Sequence, residues 1–257
     1  MEITLKSRSI KGTGFLLMPM LLAACGGGGG GDSAPAGPTA EGVYGGTLSG
    51  STSSEFQMVV LEDGSYWAIY GTTSANVLYV RGFMQGSGNS NNGTFTGNAR
   101  DFGFAPAATG SVTAQYTATP TIVGAVTTGT QVVNFNGGAV ADSTYVYAKP
   151  ASLTDIAGSW FLGLSNGETL PITVSSTGAI TGTSSAGCRI TATATPRASG
   201  KNIFNLTLTF GAAPCALPGQ TASGIAITYP LTSGGSQLGV AVIDSTQAFG
   251  LAGFANR

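Results

Sequence analysis

Three cysteines carry the clearest chemistry in this chain, and their positions separate them into two kinds. Cys25 closes Leu22-Ala23-Ala24-Cys25, at the end of an apolar run that begins at Phe15 and follows Lys6, Arg8 and Lys11. A basic start, a short apolar run and small residues before the cysteine suit a signal peptidase. In this lipobox reading the Cys25 thiol takes a diacylglycerol and becomes an acylated N-terminus once the preceding peptide is removed. Cys188 and Cys215 remain. Two cysteines in an exported chain most simply form one disulfide, which for a loop of this length contributes about 3–4 kcal/mol on the chain-entropy view.

Acid–base and nucleophilic chemistry has little to draw on. The chain contains no His, which removes Ser-His and Cys-His dyads. A Ser–Lys pair would need Lys149 or Lys201, both in turn or linker sequence. The carboxylates Glu62, Asp63, Asp101, Asp142, Asp155, Glu168 and Asp244 are scattered. Glu62 and Asp63 are adjacent but flank a hairpin turn, where Asp is favoured for its geometry. Zinc would lack its usual ligands, and no Asp-x-Asp-x-Asp-Gly run suggests calcium. Gly26–Gly31 has no Lys-Ser/Thr after it and opens no helix, so it is not a phosphate loop. The expectation is a non-enzyme with no metal and no cofactor.

Composition narrows the partners. Charged residues are 8% of the chain, against about 25% in a typical globular protein, while 42% hydrophobic residues suffice for a core. Residues 25–257 hold ten acids and seven bases, a net side-chain charge of −3, with no Lys/Arg cluster. Nucleic acid is therefore not an expected partner; the membrane is, through the lipid on Cys25. The expected order is a signal peptide at 1–24, a Gly-rich tether at 25–40, an N-terminal β lobe at 41–149 and a C-terminal β lobe at 150–257. Gly26 stands where an Asp would resemble an inner-membrane retention signal, so the outer membrane is the expected destination.

The elements that must position these residues read as strands. Phe204, Leu206, Leu208 and Phe210 alternate with Asn205, Thr207 and Thr209, and the stretch from Val112 to Thr119 alternates likewise. Ile225, Ile227 and Tyr229 read as the core face of another strand. Asp63-Gly64, Asn92-Gly93, Asn166-Gly167 and Thr177-Gly178 fall between such runs and suit tight hairpins. An all-β antiparallel meander follows: two small β-barrel-like lobes in tandem, or alternatively one larger barrel or sandwich. Gly158-Ser-Trp160 restarts the pattern of Gly42-Val-Tyr44 just after Lys149-Pro150. Each half is expected to end in an aromatic segment, Tyr145-Val-Tyr147 and Phe249 to Phe254. Between them, Ser152 and Asp155 have the spacing of a capping box on one helical turn. On this reading Ala151–Arg257 folds alone.

Asp155-Ile-Ala-Gly158-Ser-Trp160 resembles the opening of lipocalin-like barrels, in which Gly-x-Trp starts the first strand and a late Arg covers the indole. The resemblance implies Arg257 as the partner of Trp160, and by the same logic Lys149 near Tyr44. The lipobox, tether and successive Gly-rich strand domains also resemble Gram-negative surface lipoproteins with paired β-barrel lobes, of the transferrin-binding protein B and factor H-binding protein type. No partner or binding residue is carried over, because those proteins are more highly charged. The expected role is a non-enzymatic, lipid-anchored binding or envelope-interaction module, with a protein or a small apolar ligand as its unidentified partner. The alternative is a lipocalin-like carrier of a small apolar ligand, which requires a hollow lobe.

Overall fold

The structure, a computed structural model, describes residues 38–74, 77–117 and 120–257. The expected signal peptide, Cys25 and the glycine run lie outside the described residues, as do Ala118 and Thr119 at the end of one expected strand. The first eight strands are β1 (Gly42–Ser49), β2 (Glu55–Val60), β3 (Ser65–Ser74), β4 (Val77–Asn91), β5 (Thr94–Asp101), β6 (Ala108–Thr117), β7 (Thr121–Thr128) and β8 (Gln131–Gly138). Each pairs antiparallel with the next, and β8 returns to β1 from Gly45↔Gly138 to Ser49↔Asn134, closing a barrel.

A short helix α1 (Leu153–Ile156) leads into β9 (Gly158–Leu164), β10 (Thr169–Val174), β11 (Ala179–Thr183), β12 (Arg189–Pro196), β13 (Phe204–Phe210), β14 (Thr221–Pro230), β15 (Ser236–Asp244) and β16 (Gly250–Asn256). These close a second barrel through Gly253↔Leu164 and Phe254↔Gly163. The chain is thus two closed eight-stranded antiparallel barrels in tandem, and the single larger barrel does not form. The expected glycine turns sit between β2 and β3, β4 and β5, β9 and β10, and β10 and β11. Gly64, Gly93, Gly167 and Gly178 there take φ of +78° to +86°, which side chains with a Cβ resist.

Three details differ from the sequence reading. Tyr145 and Tyr147 are not in a strand of the first barrel; its last strand ends at Gly138, and both rings lie in the linker. Ser152 makes no capping bond from its side chain; its Oγ instead lies 2.8 Å from Thr154 Oγ1. In β14, Ile225, Ile227 and Tyr229 face away from their own barrel, while the alternate residues Ala226 and Thr228 are also buried. The reason is a third core, formed between the two barrels.

That core joins Val59, Trp67, Ile69, Leu78 and Phe83 of the first barrel to Ile225, Ile227, Tyr229, Ala252 and Phe254 of the second. Trp67 stacks on Phe83 at 6.3 Å and Phe83 on Phe102 at 4.7 Å. Gly250 makes room for them: a Cβ there would lie 2.5 Å from both the Phe83 and Phe102 rings. Tyr145 packs on Tyr229 at 5.3 Å and donates to Asn202 O at 2.6 Å, pinning the linker to the β12–β13 hairpin. The same hairpin sends Arg197 to Glu62 at 2.7 Å and to Asp63 at 2.8 Å, and Lys201 to Glu41 at 2.6 Å. Burial works against the charges of Glu62 and Asp63, but hydrogen bonds and the Arg197 guanidinium outweigh it and hold both carboxyls below their ordinary range. Among the described residues no strand ladder passes between the barrels, yet each covers a large apolar face of the other. An isolated 151–257 fragment would keep its closed ladder and lose that cover.

Candidate functional site

The two barrels fill their interiors differently. In the second, Trp160, Leu162, Leu170, Ile172, Leu206 and Phe210 meet across the lumen with Ile190 and Ala194. In the first, the bulky groups gather toward one end. Tyr44 donates to Ala40 O at 2.8 Å and Tyr116 to Pro38 O at 2.7 Å, so residues 38–40 lie across that end. Tyr66 packs edge-on to Phe95 there at 5.9 Å, while Phe56 packs edge-on to Phe135 at 5.8 Å at the level of Leu48 and Tyr70, away from residues 38–40. Glycines make space for these rings on facing strands: a Cβ at Gly88 would be 2.5 Å from Phe95 Cζ, and at Gly137 2.8 Å from Phe56 Cζ.

Toward the other end the first barrel holds an open cavity of about 440 Å³, within the roughly 300–1,000 Å³ of small-molecule pockets. Met58, Ala68, Met84, Val112 and Val126 form its apolar wall. The β1–β2 loop at Ser51–Ser53, Phe104 after β5, and Thr128 with Gln131 around the β7–β8 turn form the rim.

Polar groups enter this cavity on one side. Tyr70 on β3 donates to Asp101 Oδ1 at 2.5 Å, and the Gly103 amide donates to the same oxygen at 2.8 Å. Burial pushes the Asp101 carboxyl up despite these bonds. Burial and then the neighbouring Asp101 charge push the Tyr70 hydroxyl well above its ordinary value. A Cβ at Gly82 or Gly103 would strike the Tyr70 hydroxyl, so both positions keep the pair in place. Arg81 lines the same cavity and is exposed.

Among the residues singled out from sequence, Cys188 and Cys215 form a disulfide with S–S 2.05 Å, tying the loop before β12 to the loop after β13. Arg257 places its guanidinium 4.0 Å from the Trp160 ring centroid and donates to Ala157 O at 2.6 Å, while the Trp160 indole donates to Ile156 O at 2.7 Å. Tyr44 repeats only the last of these, and burial, with Tyr116 nearby, pushes its hydroxyl up to about 12. Lys149 is exposed in the linker, and no cation lies over Tyr44 among the described residues. The nearby cation–π contact is Lys201 over Tyr147, at 5.2 Å.

The carboxylates do not converge. Glu62 and Asp63 hold Arg197, Glu168 accepts from Asn166 in a hairpin turn, and Asp244 accepts from the Thr246 and Phe249 amides. Asp142 is in the linker and Asp155 in α1. Of this set only Asp101 lines the cavity. Among the described residues no three His, Cys, Asp or Glu side chains group as metal ligands. Sequence reasoning missed Tyr70 and Arg81. The visible trace was Arg81 itself, a lone charge inside the apolar run Val77 to Met84.

No protein-family model and no curated protein sequence matches this chain. Among solved structures it is similar to the isotype 1 transferrin-binding protein B from serogroup B Neisseria meningitidis, at 12% identity and a TM-score of 0.28. The match covers 79% of this chain and 65% of that chain. At that TM-score the likeness carries no argument, and the two-barrel fold rests on the strand ladders described above.

Proposed function

We propose that this protein is a non-enzymatic binding module of the Gram-negative cell envelope, anchored in the outer membrane by lipid on Cys25. Residues 25–40 serve as its tether, and 41–149 and 150–257 as its two lobes. The lipobox, the glycine run and the absence of Asp after Cys25 support the anchor and the address. Binding rather than catalysis is favoured by the scatter of carboxylates and the chain's lack of His.

One observation carries the reading further. The first barrel is open and lined by apolar side chains, whereas the second is filled. A hollow lobe is what the carrier alternative requires, so the first barrel is assigned as the ligand-binding lobe and the second as its support. The anchor is tested by palmitate labelling of the wild type and of Cys25→Ala, where labelling that survives the substitution overturns it. The cavity is tested with the unlipidated mature chain and N-phenyl-1-naphthylamine, an uncharged apolar fluorophore. One saturable site is expected, lost in Ala68→Phe, which places a ring in the cavity wall. An unaltered signal in that variant, or no binding by the wild type, refutes the carrier role.

A further inference from the structure

We propose that the cavity of the first barrel takes a single-chain anionic amphiphile, its apolar chain in the lumen and its acidic head on Arg81. This rests on the carrier reading above and adds the charge of the ligand.

Arg81 lies on the cavity side of β4, opposite Leu78 and Val80, at a break in strand pairing. In the β3–β4 ladder Tyr70 pairs with Gly82 and Gly71 with Val80, which leaves Arg81 as an extra residue on β4. On either side of it, Val80 and Phe83 both face the core between the barrels. Strict alternation would place an odd number of residues between two that share a face. The bulge supplies a second one, so Arg81 and Gly82 are both accommodated on the cavity side. Bulges re-aim side chains in this way at the rims of barrels.

Arg81 has no ion pair or hydrogen bond among the described residues. Four other cations are engaged, Arg100 with Gln247 O, Arg197 with Glu62 and Asp63, Lys201 with Glu41, and Arg257 with Trp160, and Arg81 is the cation that lines this cavity. Asp101 lines the same cavity without forming an ion pair with Arg81; its Oδ1 is taken by Tyr70 and Gly103. The guanidinium therefore remains available for a bidentate contact with a carboxylate or phosphate. Phe104 on the rim is 52% exposed and Tyr79, two residues before Arg81, is 56% exposed. An apolar lip beside a free cation, above an apolar lumen, matches a ligand with a greasy chain and one acidic end.

The experiment displaces N-phenyl-1-naphthylamine from the unlipidated mature chain with dodecanoate, dodecan-1-ol and dodecylamine. Each is kept below its aggregation threshold, at about pH 8, where the carboxylate is ionised. Dodecanoate should bind about tenfold more tightly than the alcohol, as one charge-assisted contact allows. Arg81→Gln should erase that preference and leave the alcohol unchanged; Arg81→Glu should turn it toward the amine. Circular dichroism verifies that both variants fold. Equal affinity of the wild type for acid and alcohol, tighter binding of the amine, or a preference that survives Arg81→Gln overturns the proposal while leaving the carrier reading in place. Failure of the fluorophore itself to bind overturns both.

Discussion

The second barrel is a plug and the first is a cup, although both are eight-stranded meanders that close on their own first strand. In the second, Trp160 and Phe210 belong to an interior cluster rich in Leu and Ile, and Arg257 lies over the indole. In the first, Tyr44, Tyr66, Phe95 and Tyr116 gather near one end, while Phe56 and Phe135 border a space that short side chains such as Ala68 leave open. Barrel topology sets the width of the lumen, while the placement of large and small residues along the strands decides whether it is filled. The contrast also separates the work of the two halves. The filled barrel carries the disulfide and the hairpin that grips its neighbour, and the hollow one carries the cavity with Arg81 at its wall.

The contrast can be broken most directly by truncating each interior. Leu162→Ala in the filled barrel should cost about 3–5 kcal/mol in denaturant unfolding, because a close-packed site collapses poorly around a void. Met84→Ala, on a wall that already borders open space, should cost about 2 kcal/mol or less. Equal losses would mean that the first lumen is as tightly packed as the second.

Removing the staple sharpens the comparison. The disulfide spans 27 residues, so replacing Cys188 and Cys215 together with Ala should cost about 3–4 kcal/mol. Unfolding of the second barrel should then precede that of the first, visible as loss of Trp160 fluorescence in a Trp67→Phe background before loss of ligand binding.

Gly250→Ala tests whether the barrels act as one body. Its Cβ would intrude on the rings of Phe83 and Phe102, and an overpacked core typically loses about 1–3 kcal/mol. The variant should make the two barrels unfold in separate calorimetric steps. A single unchanged transition would remove the shared core from the account.

The smallest effect is at the Arg197 clamp. Arg197→Ala should cost about 1 kcal/mol at low salt and less at high salt, since Asp63 is largely exposed and screened. Glu62 and Asp63 titrate below their ordinary values in the fold. Their contribution is therefore complete above the unfolded carboxylate range of about 4 and is lost as pH falls through the lower folded values. Wild type and Arg197→Ala should converge in stability on acidification, and a gap that widens toward acid would contradict the assignment.

Much of the architecture was legible because its causes are local. The Asp-Gly and Asn-Gly turns lie where positive φ is needed, and Phe204 to Phe210 alternates as a strand with one buried face must. The same locality explains two misreadings. Tyr145 and Tyr147 read as the aromatic end of the first half, and aromatic alternation does not reveal that they leave its ladder and pack in the linker. Ile225, Ile227 and Tyr229 were read correctly as one buried face, but the face is buried by the other barrel.

By itself, then, the sequence determined an all-β chain of short hairpins, the pairing of Cys188 with Cys215 and the poverty of its acid–base chemistry. These depend on residue types, turn preferences and counts. Only the tertiary structure decided which lumen stays open, that Arg81 lines it at a bulge, and that a third core binds the barrels together. A period of two says which side chains share a face, but what covers that face is set by residues far away in the chain.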